Sequence, residues 1–173
     1  MQQMLISDAN ILIDLECCQL IESMFELPYR FCTPDILFDR ELKNQHSHLL
    51  IMGLQVLSLN SDSMTYVFGL QATYQKTSLH DLMALSLAKQ ESCPLLTGDK
   101  ALREASQKEA IVIHGTIWVL EQLVIHQKAT LQSALNALTI MQTHGRRLPF
   151  DMAKERLLSL PVWDNHESPN HPK

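Results

Sequence analysis

The chain has 173 residues, 46% of them apolar, which suits one domain with a buried core and excludes a chain disordered throughout. Its 14 Lys and Arg against 19 Asp and Glu give a formal net charge of −5. That balance argues against a passive nucleic-acid-binding module, but not against an enzyme that gathers acids around divalent cations.

Met4-Leu5-Ile6 predicts a first strand, followed by the turn-prone Ser7-Asp8-Ala9-Asn10 and a helix over about 11–24. Tyr29-Arg30-Phe31-Cys32 predicts a second strand. Thr33-Pro34 supplies a cap and a first-turn proline for a long helix running to about Met52. Residues 54–59 alternate as a third strand does, and helices are expected near 62–75 and 78–90. Pro94-Leu95-Leu96-Thr97 reads as a buried strand closing on Gly98-Asp99, with a helix over 99–107 and a fifth strand over 110–113. Five strands separated by helices imply crossover connections, hence an α/β fold with a mainly parallel sheet covered on both faces.

After His114-Gly115 the pattern becomes helical, over 116–125, 130–142 and 150–158, with breaks at His126-Gln127-Lys128 and Thr143–Arg147. The expected division is an α/β domain over 1–126, a helical C-terminal extension over 127–162 and a flexible tail over 163–173. No apolar run approaches the roughly 18 residues of a membrane span. Met1-Gln2-Gln3-Met4 lacks the basic stretch of a signal peptide. The expectation is a cytoplasmic protein with no membrane partner. Cys17, Cys18, Cys32 and Cys93 form no Cys-x-x-Cys pair and read as buried free thiols.

The acids carry the chemistry. Asp8 follows the first strand and Asp99 the fourth, at the edge where open parallel sheets bind ligands. Each also suits a bland role, a turn aspartate for Asp8 and a helix N-cap for Asp99. Asp81 stands three residues after Ser78, the spacing of a capping box. On the long helix, Glu41 competes with Asp35 and Asp39; the helical wheel leans only slightly to Glu41, which falls near Leu37 and Phe38. Taken together, two acids beyond strand ends and two on helices make sense chiefly around a hard cation, Mg2+ or Mn2+.

Four stretches resemble the motifs of PIN domains. Ser7-Asp8-Ala9-Asn10 is similar to the opening motif, an Asp followed two residues later by a small polar residue. Thr33 to Leu42 resembles the second block, a Pro-led helix with a Glu just before Leu, and this match selects Glu41. Leu79-His80-Asp81-Leu82-Met83-Ala84-Leu85 resembles the third block, and Leu95-Leu96-Thr97-Gly98-Asp99-Lys100-Ala101-Leu102 the strand-Thr-x-Asp-x-x-Leu signature. The blocks stand in family order over roughly residues 4–113.

The resemblance implies a PIN-like three-layer α/β/α fold with a five-stranded parallel sheet plus C-terminal helices, residues 1–126 forming the PIN-like nuclease domain. It implies Mg2+- or Mn2+-dependent hydrolysis of phosphodiester bonds, usually in RNA, with Asp8, Glu41, Asp81 and Asp99 as catalytic metal ligands. Asn10 and Thr97 match the accessory polar positions, and Lys100 is a candidate for substrate phosphate. Many small PIN proteins are toxins of toxin–antitoxin pairs, commonly homodimeric and held by an antitoxin partner. The extension after Ile113 is longer than in the most compact of these and looks more like PIN-type proteins with an added helical tail.

Two other readings compete: an inactive PIN-fold scaffold, and a haloacid-dehalogenase-like phosphatase. The phosphatase wants a second Asp where Asn10 stands and an acid where Arg103 stands. His46 and His48, two apart on one helix, are expected to point to different faces. His80 reads as a helix-start residue and Trp118 as core.

Overall fold

The computed structural model describes residues 2–161; the tail expected over 163–173, and the last residue of the extension, lie outside them. Five strands, β1 (Gln3–Ser7), β2 (Tyr29–Pro34), β3 (Gln55–Leu57), β4 (Leu95–Leu96) and β5 (Ile113–His114), form one sheet in the order β3-β2-β1-β4-β5. Every pairing is parallel, with Leu5 opposite Phe31, Ile6 opposite Leu95 and Leu96 opposite His114. The fold is the expected PIN-like α/β/α architecture.

Helices α1 (Ala9–Cys17) and α2 (Ile21–Phe25) connect β1 to β2. Short segments α3 (Asp35–Leu37), α4 (Lys43–His46) and α5 (Leu49–Met52) lead to β3, and α6 (Ser61–Thr73) and α7 (Leu79–Gln90) lead to β4. Helix α8 (Lys100–Lys108) precedes β5, and α9 (Thr116–Ile125), α10 (Leu131–Thr143) and α11 (Phe150–Leu158) follow it. Helix α7 lies against β1, β2 and β4 with α6 and α8 at its sides. All its residues from Leu82 to Ala88 are buried, which is why it shows no apolar stripe. Helix α10 packs on α1 and α9, and α9 on α2, so one apolar core runs from Leu5 through Leu12 and Leu82 to Leu138 and Leu157.

The long helix expected from Thr33 to Met52 is broken. Thr33 belongs to buried β2, where its hydroxyl donates to the Ser7 carbonyl at 3.1 Å, so it cannot cap; the helix opens at Asp35. Residues Phe38–Leu42 then form a π-helical turn, and the chain bends again at Ser47-His48. This second break corrects the reading of the histidines. Because His46 ends α4 and His48 lies in the following turn, both rings converge on the Glu16 carboxylate of α1.

A second departure recurs along the chain. Gln19, Ser92, Ala110 and Gln127 all have φ between 51° and 58°. Each follows a helix and sits in paired bonds that close its end, such as Ala110 N to Gln107 O (3.1 Å) with Ile111 N to Ser106 O (2.9 Å). This is the Schellman arrangement, whose left-handed position normally takes glycine. It divides the helix expected over 11–24 into α1 and α2. It also delays β5, expected from Ala110, until Ile113. We predict that Ala110→Gly stabilises the protein by about 0.5–1 kcal/mol, measured by urea unfolding; a loss of stability would contradict the strain argument.

Among the cysteines, Cys18 and Cys32 are buried and Cys93 half-buried, whereas Cys17 is exposed, since it faces outward at the end of α1. All four are free thiols. No helix among the described residues is long and apolar enough to cross a membrane.

Candidate functional site

Strand order reverses direction between β1 and β4: β2 and β3 build to one side of β1, and β4 and β5 to the other. At such a switch the two connections leave in opposite directions and open a crevice beyond the carboxyl ends of the strands. Asp8 follows β1 directly and Asp99 lies three residues after β4, so both flank this crevice.

Asp8 is fully buried. One carboxylate oxygen caps α1 by accepting from Ile11 N at 3.0 Å, and the other accepts from the Thr97 hydroxyl at 2.5 Å. Burial pushes its pKa up to about 7, against the pull of those two bonds, and the charges of Asp81 and Asp99 push it further up. Asp99 caps α8 through Leu102 N at 2.7 Å, and its own N–H donates to the Thr97 hydroxyl at 3.1 Å. Thr97 thus ties the two strand-end acids together, donating to one and accepting from the backbone of the other. The bland capping roles are real for both acids, and each coexists with membership of the cluster.

Asp81 opens α7. Ser78 caps the helix by accepting from Asp81 N at 3.1 Å, and its hydroxyl donates to the Asp81 carboxylate at 2.7 Å. Burial raises the Asp81 pKa, and the charges of Asp99 and Glu41 raise it further. Glu41 lies on the π-helical turn, a feature common at functional sites. Glu41 is exposed there rather than set among apolar neighbours as the helical wheel suggested, because the wider turn shifts the faces. The Glu41 side chain is 35% exposed and bonds the His80 ring at 2.7 Å. Its rivals are engaged elsewhere: Asp35 with the Ser58 hydroxyl at 2.6 Å, and Asp39 with Lys43 at 2.9 Å.

The accessory positions divide. Thr97 bonds the cluster, whereas Asn10 lines the adjacent cleft without a side-chain bond to the acids among the described residues. Lys100 lines the same cleft but is 92% exposed, 3.9 Å from Glu104. The sequence pairs Ser78 with Asp81 by its capping-box spacing, and the structure adds the hydroxyl-to-carboxylate bond that orients the acid. His80 had no expected role beyond starting a helix, because only the fold brings Glu41 to it.

Two adjoining clefts lie beside Asp99. One of about 480 Å³ is lined by Asn10, Asp14, Asp99, Lys100, Arg146 and Arg147. The other, of about 370 Å³, includes Arg103, His114, Trp118 and Arg147. Trp118, expected in the core, packs against its edge: it is half-buried, lies beside Tyr29 with centroids 5.5 Å apart, and stacks on His114 with centroids 4.0 Å apart.

The model of the DUF3368 family, a PIN domain, matches residues 4–160. The chain belongs to the PIN-domain family. No curated protein matches it. PIN domains are generally nucleases that use divalent metal ions, and the family separates this chain from the haloacid-dehalogenase-like phosphatases. In this PIN domain the donors fit such an ion by chemistry: four hard oxygen-bearing side chains from four elements share a neighbourhood, and two of them are pushed toward protonation by burial and mutual repulsion. As they stand, among the described residues no three His, Cys, Asp or Glu side chains are drawn together closely enough to enclose an ion. Asp81 is turned to Ser78 and Glu41 to His80.

Proposed function

We propose that this PIN domain is a divalent-metal-dependent ribonuclease that hydrolyses phosphodiester bonds at the crevice between Asp8 and Asp99. The observation that carries this reading is the placement of Asp8. A fully buried carboxyl, raised to about 7 and repelled by two neighbouring acids at a sheet switch point, is costly for the fold and useful to a cation. Asp8, Asp81, Asp99 and Glu41 are the residues that would hold Mg2+ or Mn2+. When bound, such an ion polarises a phosphoryl oxygen and lowers the pKa of a water.

The chain's own residues set the stage for that chemistry. Thr97 fixes the Asp8 carboxylate and, through Asp99 N, the loop that carries the second acid. Ser78 orients Asp81, and His80 holds Glu41 at the rim. A toxin role, with an antitoxin partner and a homodimer, belongs to the same reading and is supported by family resemblance.

Purified protein with Mn2+ is expected to cut single-stranded RNA, and Asp99→Asn to stop it. A wild type inert with both Mg2+ and Mn2+ would sink this reading in favour of a PIN-fold binding scaffold.

A further inference from the structure

The net negative charge conceals a local excess of cations beside the acids. Lys100, Arg103, Arg146, Arg147 and Arg156 all line the two clefts next to Asp99, and Gly98, Thr116, Arg147 and Leu148 line both, so the clefts form one trough. Three of these cations are compensated: Arg146 by Asp14 at 2.6 Å, Arg156 by Glu121 at 2.6 Å, and Lys100 by Glu104 at 3.9 Å. Among the described residues neither Arg103 nor Arg147 has a carboxylate partner. Arg103 is held in place by neutral groups. Its guanidinium donates to the Thr97 carbonyl at 3.2 Å, and a Cβ on Gly115 would come within 3.0 Å of it. Arg147 is exposed, on the turn where both clefts meet. The trough also holds the stacked His114–Trp118 pair, and burial together with the Arg103 charge lowers the His114 pKa, favouring a neutral ring.

We propose that the turn before α11 and the start of α9 form the strand-holding half of the site, seating single-stranded RNA with phosphates on Arg147 and Arg103 and a base against the stacked His114–Trp118 pair; this rests on the nuclease reading above. Uncompensated guanidinium groups suit phosphate, and an aromatic platform suits an unpaired base, which a duplex does not offer. The helical extension thereby becomes part of substrate recognition.

The test is binding of a short fluorescein-labelled single-stranded RNA in EDTA, followed by anisotropy at several salt concentrations. Arg147→Ala is expected to weaken binding at least about fivefold and to lower the salt slope by about one. Arg147→Lys should restore the slope. Trp118→Leu is expected to cost about tenfold with the slope unchanged, because stacking releases no counterions. Lys154→Ala, in a separate cleft between α10 and α11, should bind as wild type. Melting temperatures report whether each variant is folded, and Arg147, exposed and without a carboxylate partner among the described residues, is the safe substitution. If wild type shows this pattern but cuts with no metal, the nuclease reading falls and the seat stands. If wild type cuts, yet Arg147→Ala and Trp118→Leu bind as it does, the seat is overturned and the nuclease reading stands. Equal binding by all variants, or none by wild type, also overturns the seat, and leaves the trough to an acidic protein segment.

Discussion

Asp8→Asn is expected to abolish Mn2+-dependent RNA cleavage while making the metal-free protein more stable at neutral pH. The loss of activity should be at least about a hundredfold, since on the proposed reading Asp8 is one of the residues that would hold the ion. The gain in stability follows from the raised pKa. The folded carboxyl titrates at about 7 and the ordinary value is 3.8. Between those values the folded chain binds more protons than the unfolded one, so stability falls as pH rises through that window. Below about pH 4 the penalty is absent, and above about pH 7 it is complete. An asparagine has no such penalty, and its oxygen can still accept from Ile11 N. Its amide can donate to the Thr97 oxygen once that hydroxyl turns. The gain at pH 8 should be on the order of 2–4 kcal/mol and should shrink toward zero near pH 4. Urea unfolding in EDTA at several pH values measures it; a variant less stable than wild type at pH 8 would mean that Asp8 is no burden to the fold.

Mn2+ is expected to raise the melting temperature of the wild-type protein. An ion at a hundred times its dissociation constant adds about 2.7 kcal/mol, or roughly 5–10 °C for a chain of this size. Because the ion requires ionised carboxylates, the increment should grow as pH rises through about 7, where Asp8 gives up its proton. Asp8→Asn and Asp99→Asn should lose most of it. A shift of equal size in both variants would place the ion elsewhere on the molecule.

Much of this could be read from the sequence wherever a side chain announces its local role. The starts of α6, α7, α8 and α10 follow Asn60, Ser78, Asp99 and Thr130, whose side chains each accept from a backbone N–H three residues on. The parallel sheet followed from the alternation of strands and helices. What escaped was of two kinds. Helix ends without glycine gave no signal at Gln19 or Ala110, because the left-handed residue there is an ordinary one held by backbone bonds. Contacts distant in sequence also escaped, including Glu41 with His80, both histidines on Glu16, and the Arg147 turn beside Asp99. The acids themselves could be named as candidates from order and spacing. Their gathering at one sheet edge was expected as well; the complete burial of Asp8 and its bond to Thr97 were not, because they depend on the strand order β2-β1-β4 that sets Asp8 next to Asp99.

The four glycine-free helix ends also bear on how this protein could change. Gln19, Ser92, Ala110 and Gln127 each hold a conformation that a single substitution would relax, and none of them is among the acids or the trough residues. They amount to unspent headroom. A lineage, or an engineer, could draw on these positions to absorb destabilising substitutions around Trp118 and Arg147, and so explore new RNA preferences without losing the fold. Libraries aimed at the trough should therefore tolerate more variation on an Ala110→Gly background than on the native one.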